Sequence, residues 1–239
     1  MNRLLVVAVS LLSSLALAEV GKVAALEGEA TRTPKGSTAA EALKTGSEVE
    51  LGDTLTVKTG NLKFELNDGS VIMLAPASTL EITEAEFQGQ ERTGFSGLLK
   101  SGSLWTKVKK AIGGGKFEVS TERAVAGVRG TIFRIDADAL VKGARGKGRK
   151  ASIVRVVEGS VGVKPSKAIG PTLKGAVPKK GPRVEVPGPK EVGVDEWEKI
   201  FVNLAANQQV VVGVDLWEQA EIDAASKTDA FSKWIEKNQ

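Results

Sequence analysis

Acid–base chemistry is the one kind of catalysis for which this sequence has the side chains. It holds 29 Asp and Glu in 239 residues, and a glycosidase-type mechanism needs only two carboxylates facing one groove. Yet Asp53, Asp68, Asp136, Asp138 and Glu158 all fall at predicted strand ends or turns, where acids belong without any catalytic role. Nothing else supplies a nucleophile or a soft ligand, because Cys, His and Tyr are absent. That excludes Cys and His nucleophiles, Ser-His triads and zinc sites built on Cys or His. It also excludes disulfides and a lipid carried on an N-terminal cysteine. The glycine run 113–115 lacks the Lys-Ser/Thr pair and helix of a phosphate-binding loop. The chain is expected to be a non-enzyme, with no catalytic residue, no metal and no cofactor.

Recognition is the other chemistry on offer, and it rests on cations. Lys and Arg number 33, for a net charge of +4. That charge is segregated: residues 142–190 hold 13 basic and 2 acidic residues, a net of +11. Residues 19–141 and 191–239 together hold 19 basic and 27 acidic residues, a net of −8. Residues 142–150 (KGARGKGRK) are expected to form a basic loop, and residues 164–190 hold six of the eight prolines, which argues for a long extended insert. Lys147, Arg149 and Lys150 in the first, and Lys179, Lys180 and Arg183 in the second, are the candidate partner contacts. They suit an acidic protein face, an acidic glycan or lipopolysaccharide; the plain alternative is a solvated loop that aids solubility. Neither loop has an aromatic residue on which bases could stack, so nucleic acid is not expected. A further candidate is the aromatic stripe Trp217, Phe231 and Trp234, which either packs on the β domain or faces a partner.

These side chains need strands to hold them. Apolar alternation at period two marks Leu62, Phe64 and Leu66, then Phe117, Val119 and Thr121, then Thr131, Phe133 and Ile135. Residues 20–26 predict a first strand closed by a turn at Glu27-Gly28, and residues 58–61 predict another turn. Asp68-Gly69 predicts a type I′ hairpin joining 62–66 to 70–74. Residues 33–48 read as a loop with one helical turn. Short strands at this spacing predict an all-β fold: a sandwich, a roll or a solenoid-like stack. The C-terminal end differs. VGVDEWE at 192–198 recurs as VGVDLWE at 212–218, each Asp three residues before a Glu, the spacing that caps a helix. An amphipathic helix over 214–239 is expected, broken near Lys227-Thr228, with Trp217, Ala220, Ala224, Phe231 and Trp234 on one face.

Two corners stand out in this pattern. In residues 124–135 (AVAGVRGTIFRI), Gly127 and Gly130 flank Val128-Arg129 and predict a bulge or corner where backbone runs close to backbone. Arg129, a cation among apolar neighbours, either receives a partner's carboxylate or pairs internally with Glu122 or Glu158. Residues 153–163 (IVRVVEGSVGV) repeat the device, two apolar strands meeting at Glu158-Gly159. Residues 124–135 and, within the second corner, 156–163 (VVEGSVGV), together with residues 66–78 (LNDGSVIMLAPAS), which include Asp68 and Gly69, resemble the FecR domain, with similarity over roughly residues 21–213. The resemblance implies a β scaffold that recognises another envelope protein. Family members similar to the iron-uptake regulators join an anti-sigma segment, one membrane span and a periplasmic domain. In them the periplasmic part relays the state of an outer-membrane receptor to a sigma factor. This sequence departs from that plan: it opens with a cleavable-looking leader, shows no span and ends in a predicted helix. The expectation is an exported, non-enzymatic FecR-like module over 19–213 that binds an envelope protein, in signalling or as a scaffold. A polysaccharide or cell-wall binder is the alternative.

The leader is residues 1–18. Arg3 gives a positive start, residues 4–17 form an apolar run with three serines, and Ala16-Leu17-Ala18 is an A-x-A cleavage site. The run is too short to span a bilayer comfortably, and no other segment reaches that length. Cleavage after Ala18 predicts a periplasmic or secreted protein beginning at Glu19.

Overall fold

The computed structural model describes residues 19–110, 114–142, 148–166, 202–214 and 216–239. The leader and most of the Pro/Lys-rich insert lie outside the described residues. Two long strands, β1 (Glu19–Thr33) and β4 (Thr54–Leu66), pair into a bent antiparallel ribbon. The bend falls where the sequence suggested two turns: Gly28 pairs with Gly60, and their φ angles are 83° and 67°. A Cβ at Gly60 would lie 1.8 Å from the Glu27 carbonyl oxygen, and one at Gly28 would lie 2.4 Å from that of Thr59. Only glycine permits that approach, so the two turn signals mark one corner inside continuous strands. The helical turn expected within residues 33–48 does not form. Instead β2 (Glu41–Ala42) and β3 (Glu48–Glu50) pair along β1.

At the corner β4 changes partner. Residues 54–57 pair with β6 (Ser78–Gln88), and residues 62–65 pair with β5 (Val71–Leu74). Two half-sheets grow from there. One continues from β6 through β7 (Glu91–Ser101), β9 (Lys116–Ser120), β10 (Ala124–Val128) and β13 (Ser160–Pro165) to β14 (Val202–Ala205). The other continues from β5 through β8 (Ser103–Lys107), β11 (Ile132–Lys142), β12 (Gly148–Glu158) and β15 (Gln208–Gly213) to β16 (Leu216–Glu221). The inner faces share one core. Phe95 stacks on Phe117 with centroids 4.7 Å apart, and Phe117 meets Phe133 of the opposite half edge-on at 6.5 Å. Each such buried ring stabilises the fold by about 2–3 kcal/mol. In β9 and β10 alternate residues are buried, as period two requires. The fold is all-β, as the strand spacing indicated.

The two motif corners carry the chain between half-sheets and touch each other. Gly130, with φ 71°, turns β10 into β11; Gly159, with φ 83°, turns β12 into β13. A Cβ at Gly159 would lie 3.3 Å from the Gly130 carbonyl oxygen, and the Thr131 hydroxyl donates to the Ser160 carbonyl at 2.8 Å. Gly127 does not share this role: it lies within β10 opposite Gly162 and Glu118, without positive φ. The Asp68-Gly69 hairpin is present, but its turn is not type I′. That turn needs two residues at positive φ, and here only Gly69 has it, at 79°. The Gly69 N–H donates to the Leu66 carbonyl at 2.8 Å, closing a tight turn over 66–69.

The C-terminal segment corrects the expected long helix. Leu216–Glu221 is strand β16, paired with β15 from Gly213 opposite Leu216 to Gln208 opposite Glu221. The backbone edge of β15 outweighs the helix propensity of this stretch. Trp217 therefore packs against the main core and is not on a helix. Among the described residues helices occupy only Ala224–Thr228 and Ala230–Asn238. The Asp223 and Asp229 carboxylates cap them, accepting from the Ser226 and Ser232 N–H groups at 2.7 Å each. Phe231, Trp234 and Ile235 of the last helix form a second core with Met73, Ala75 and Trp105, so Trp234 is a packing residue.

Candidate functional site

The Asp68 turn builds a cleft from the inside outward. Its carboxylate accepts from the Ser70 N–H and hydroxyl, both at 2.8 Å, and lies 3.1 Å from the Arg92 guanidinium. Arg92 enters from β7 with its side chain fully buried, 4.9 Å from the Phe117 ring centroid. Burial pulls its pKa below the ordinary arginine value, with Asp68 opposing the shift. Its Nη2 donates to the Lys109 carbonyl at 3.2 Å, while Nε has no partner among the described residues. The Ser70 hydroxyl oxygen accepts from the Lys109 N–H at 2.9 Å. Residues 108–110 are thereby fastened to the turn. The result is a cleft of about 370 Å³ lined by Gln88, Gln90, Glu91 and Arg92 with Asp68, Lys109 and Lys110.

Further cations gather beside it. The Val108 N–H donates to the Thr131 carbonyl at 2.9 Å, and a Cβ at Gly130 would lie 2.9 Å from that of Lys110. The Gly130 corner thus brings Arg129 next to residue 110. Lys107 ends β8 opposite Val71 and Ile132. Lys107, Lys109, Lys110 and Arg129 are all exposed, and none forms an ion pair among the described residues. Neither expected internal partner meets Arg129: Glu122 instead lies 3.0 Å from Arg123, and Glu158 is exposed at its corner.

A second basic region lies farther along the same strands, and there both arginines are matched by acids. Arg134 of β11 donates to Asp136 at 3.0 Å and to Asp229 at 2.6 Å, with its guanidinium 5.3 Å from the Phe231 ring centroid. Arg155 of β12 bonds Asp136, donates to Gln209 at 3.0 Å and lies 3.6 Å from Asp223. Burial pushes the Asp229 carboxyl up, but the Ser232 N–H and Arg134 outweigh it, and its pKa falls below the ordinary aspartate value. At the other end of the last helix the Lys63 ammonium donates to the Asn238 carbonyl. A cation there complements the negative end of the helix.

Four of the five carboxylates considered for catalysis serve the same purpose, Glu158 being the exception. Asp53 lies 3.5 Å from Arg32, Asp68 3.1 Å from Arg92, Asp136 3.0 Å from Arg134 and Asp138 3.2 Å from Arg123. Asp53 is wholly buried; burial raises its pKa, opposed by the Glu50 N–H and by Arg32. Among the described residues no group of three His, Cys, Asp or Glu side chains is placed to hold a metal ion.

Of the basic residues singled out in sequence, Arg149 and Lys150 lie in strand β12, not in a loop, opposite Val141 and Leu140. The Lys150 ammonium is 3.8 Å from Asp138. Lys147, Lys179, Lys180 and Arg183 lie outside the described residues. The structure does not bring Trp217 and Trp234 onto one face. Sequence reasoning missed Lys107, Lys109, Lys110 and Arg92. The run Lys-Val-Lys-Lys at 107–110, just ahead of the glycine run, was the available signal.

Comparison with known proteins adds the following. The FecR protein family model matches residues 52–162. No curated protein matches the chain. Two crystal structures from Parabacteroides distasonis ATCC 8503, each of a "putative anti-sigma factor", resemble it in part. One has a TM-score of 0.49 at 16% identity, covering 76% of this chain and 64% of the other. The second has a TM-score of 0.48 at 17% identity, covering 73% of this chain and 62% of the other. The chain therefore spans less than two thirds of the length of either structure.

Proposed function

Because residues 52–162 carry a FecR-family domain, we propose that the protein is a non-enzymatic recognition module of the cell envelope. It binds another envelope protein and acts in signalling. The observation that carries this reading is the division of labour among its charges. Four of the five carboxylates with catalytic potential are held by arginines, while four exposed cations beside a cleft form no ion pair among the described residues. Charges tied up in this way build structure; charges left exposed are available to a partner. Polysaccharide binding has less support, since Phe64, Phe95, Phe117, Phe133 and Trp105 are all buried, and only Phe87 among the rings of residues 64–133 is partly exposed.

Export follows from the leader, with cleavage after Ala18. Mass spectrometry of the protein from its native envelope should find Glu19 at the N-terminus, and an intact Met1 would contradict export. The recognition reading is tested by in-cell cross-linking of the tagged full-length protein. One discrete protein should be recovered in near-stoichiometric amount. Recovery of the protein alone, or of glycan alone, would contradict it.

A further inference from the structure

We infer that the cleft beside the Asp68 turn, with Lys107, Lys109, Lys110 and Arg129 around it, is the docking site for an extended acidic segment of a partner protein. This deepens the recognition reading above and rests on it. Lys107 and Lys109 are two residues apart where β8 runs out, so in extended backbone their side chains leave about 7 Å apart. An extended peptide with acids at alternate positions presents its carboxylates at that same spacing. Lys110 and Arg129 extend the row, because the Gly130 corner packs on Lys110.

The inner wall is built to stay in place. Arg92 is fixed by Asp68, by the Ser70 hydroxyl at 3.4 Å and by the Lys109 carbonyl at 3.2 Å, and its Nε remains without a partner among the described residues. Gln88 and Gln90 add amides suited to a peptide backbone. Three acids lie nearby: Glu91 in the lining, Glu65, whose Oε1 is 3.9 Å from where a Gly69 Cβ would be, and Glu19, which lines the adjoining hollow with Lys109 and is itself 3.6 Å from Lys22. With Asp68 already committed to Arg92, they leave the mouth net positive. A membrane surface fits less well. Among the described residues the large exposed apolar side chains are Leu140, Val157 and Val214, and none of them lines this cleft, so none of them offers a lipid anchor there.

The test is a titration of the full-length protein with a blocked decapeptide alternating Glu and Ser, followed by NMR and calorimetry. In parallel it is titrated with phosphatidylglycerol vesicles. The peptide should bind and shift the signals of residues 88–92, 107–110 and 129. Binding should weaken steadily between about 50 and 300 mM salt, as screening shortens the reach of exposed charges. The variant Lys107→Gln/Lys109→Gln/Lys110→Gln/Arg129→Gln should bind about tenfold more weakly. A control variant neutralising the exposed Lys44, Lys58, Lys233 and Lys237 should change binding less than about twofold. Equal peptide binding by both variants, no peptide binding at low salt, or binding to vesicles alone would overturn the inference. The cross-linked envelope partner separates the two levels. If the quadruple variant still captures it undiminished, the docking site is elsewhere and recognition stands. If no partner is captured by either protein, recognition itself fails.

Discussion

Along β8 and β11 the same kind of charge has two different fates. Arg134 lies opposite Trp105, under the last helix, and is ion-paired with both Asp136 and Asp229. At the end of the same pair, Lys107 lies opposite Ile132 and begins a row of exposed cations that form no ion pair among the described residues. Removing one partner from a buried pair leaves an uncompensated charge, whereas an exposed cation contributes little to stability. The difference separates residues that define the fold from residues left free for another molecule.

The largest expected effect is at the clamp. Arg134→Ala leaves Asp136 and Asp229 short of a cation and loosens the last helix, at a cost of about 3 kcal/mol. At this chain length that is a fall in Tm of about 6–12 °C, read by thermal denaturation. Unchanged melting would mean that the two basic regions do not differ in kind. Next in size is Gly130→Ala, which places a side chain at positive φ against Lys110, at about 1–3 kcal/mol. Gly127→Ala carries no such φ penalty and should melt higher than Gly130→Ala. The reverse order would remove the Gly130 corner as the device that positions Lys110.

Acid should release the clamp before it touches the cleft cations. Asp229 is held below its ordinary value of 3.8, so its contribution is fully present above that pH and is lost as pH falls through the lower folded value. Trp234 fluorescence should report the helix leaving at pH below about 3.8, with sheet signals in far-UV circular dichroism retained. Loss of both together would show the helix to be integral to the sheet. The smallest expected effect belongs to the four exposed cations. Neutralising Lys107, Lys109, Lys110 and Arg129 should change stability by no more than about 0.5 kcal/mol per site. A larger fall in Tm would place these residues in the fold-defining class.

The sequence carried the local part of this picture. Alternation at Phe117 and Val119 marked a strand with one face buried, and glycines at 69, 130 and 159 marked real turns, because these signals depend on neighbours in the chain. What escaped it depends on contacts between distant segments. Glu27-Gly28 and Thr59-Gly60 each read as a turn, and only their pairing turns them into one corner inside a ribbon. The 216–221 stretch has helical composition and became a strand because β15 offered an open edge. The Asp223 and Asp229 caps were not singled out in sequence, because the Asp215 echo suggested an earlier start. The basic surface was sought in the longest charge runs; the cluster at 107–110 emerges only when the Gly130 corner folds Arg129 beside it.

Photo-cross-linking from single positions in the native envelope tests the central claim most directly. A cross-linking residue at position 110 should yield one defined adduct with a second protein, weakened by high salt. The same residue at position 233, exposed on the last helix, should yield none. An adduct from position 233 with nothing from position 110 would contradict the claim that the unpaired cations form the recognition surface.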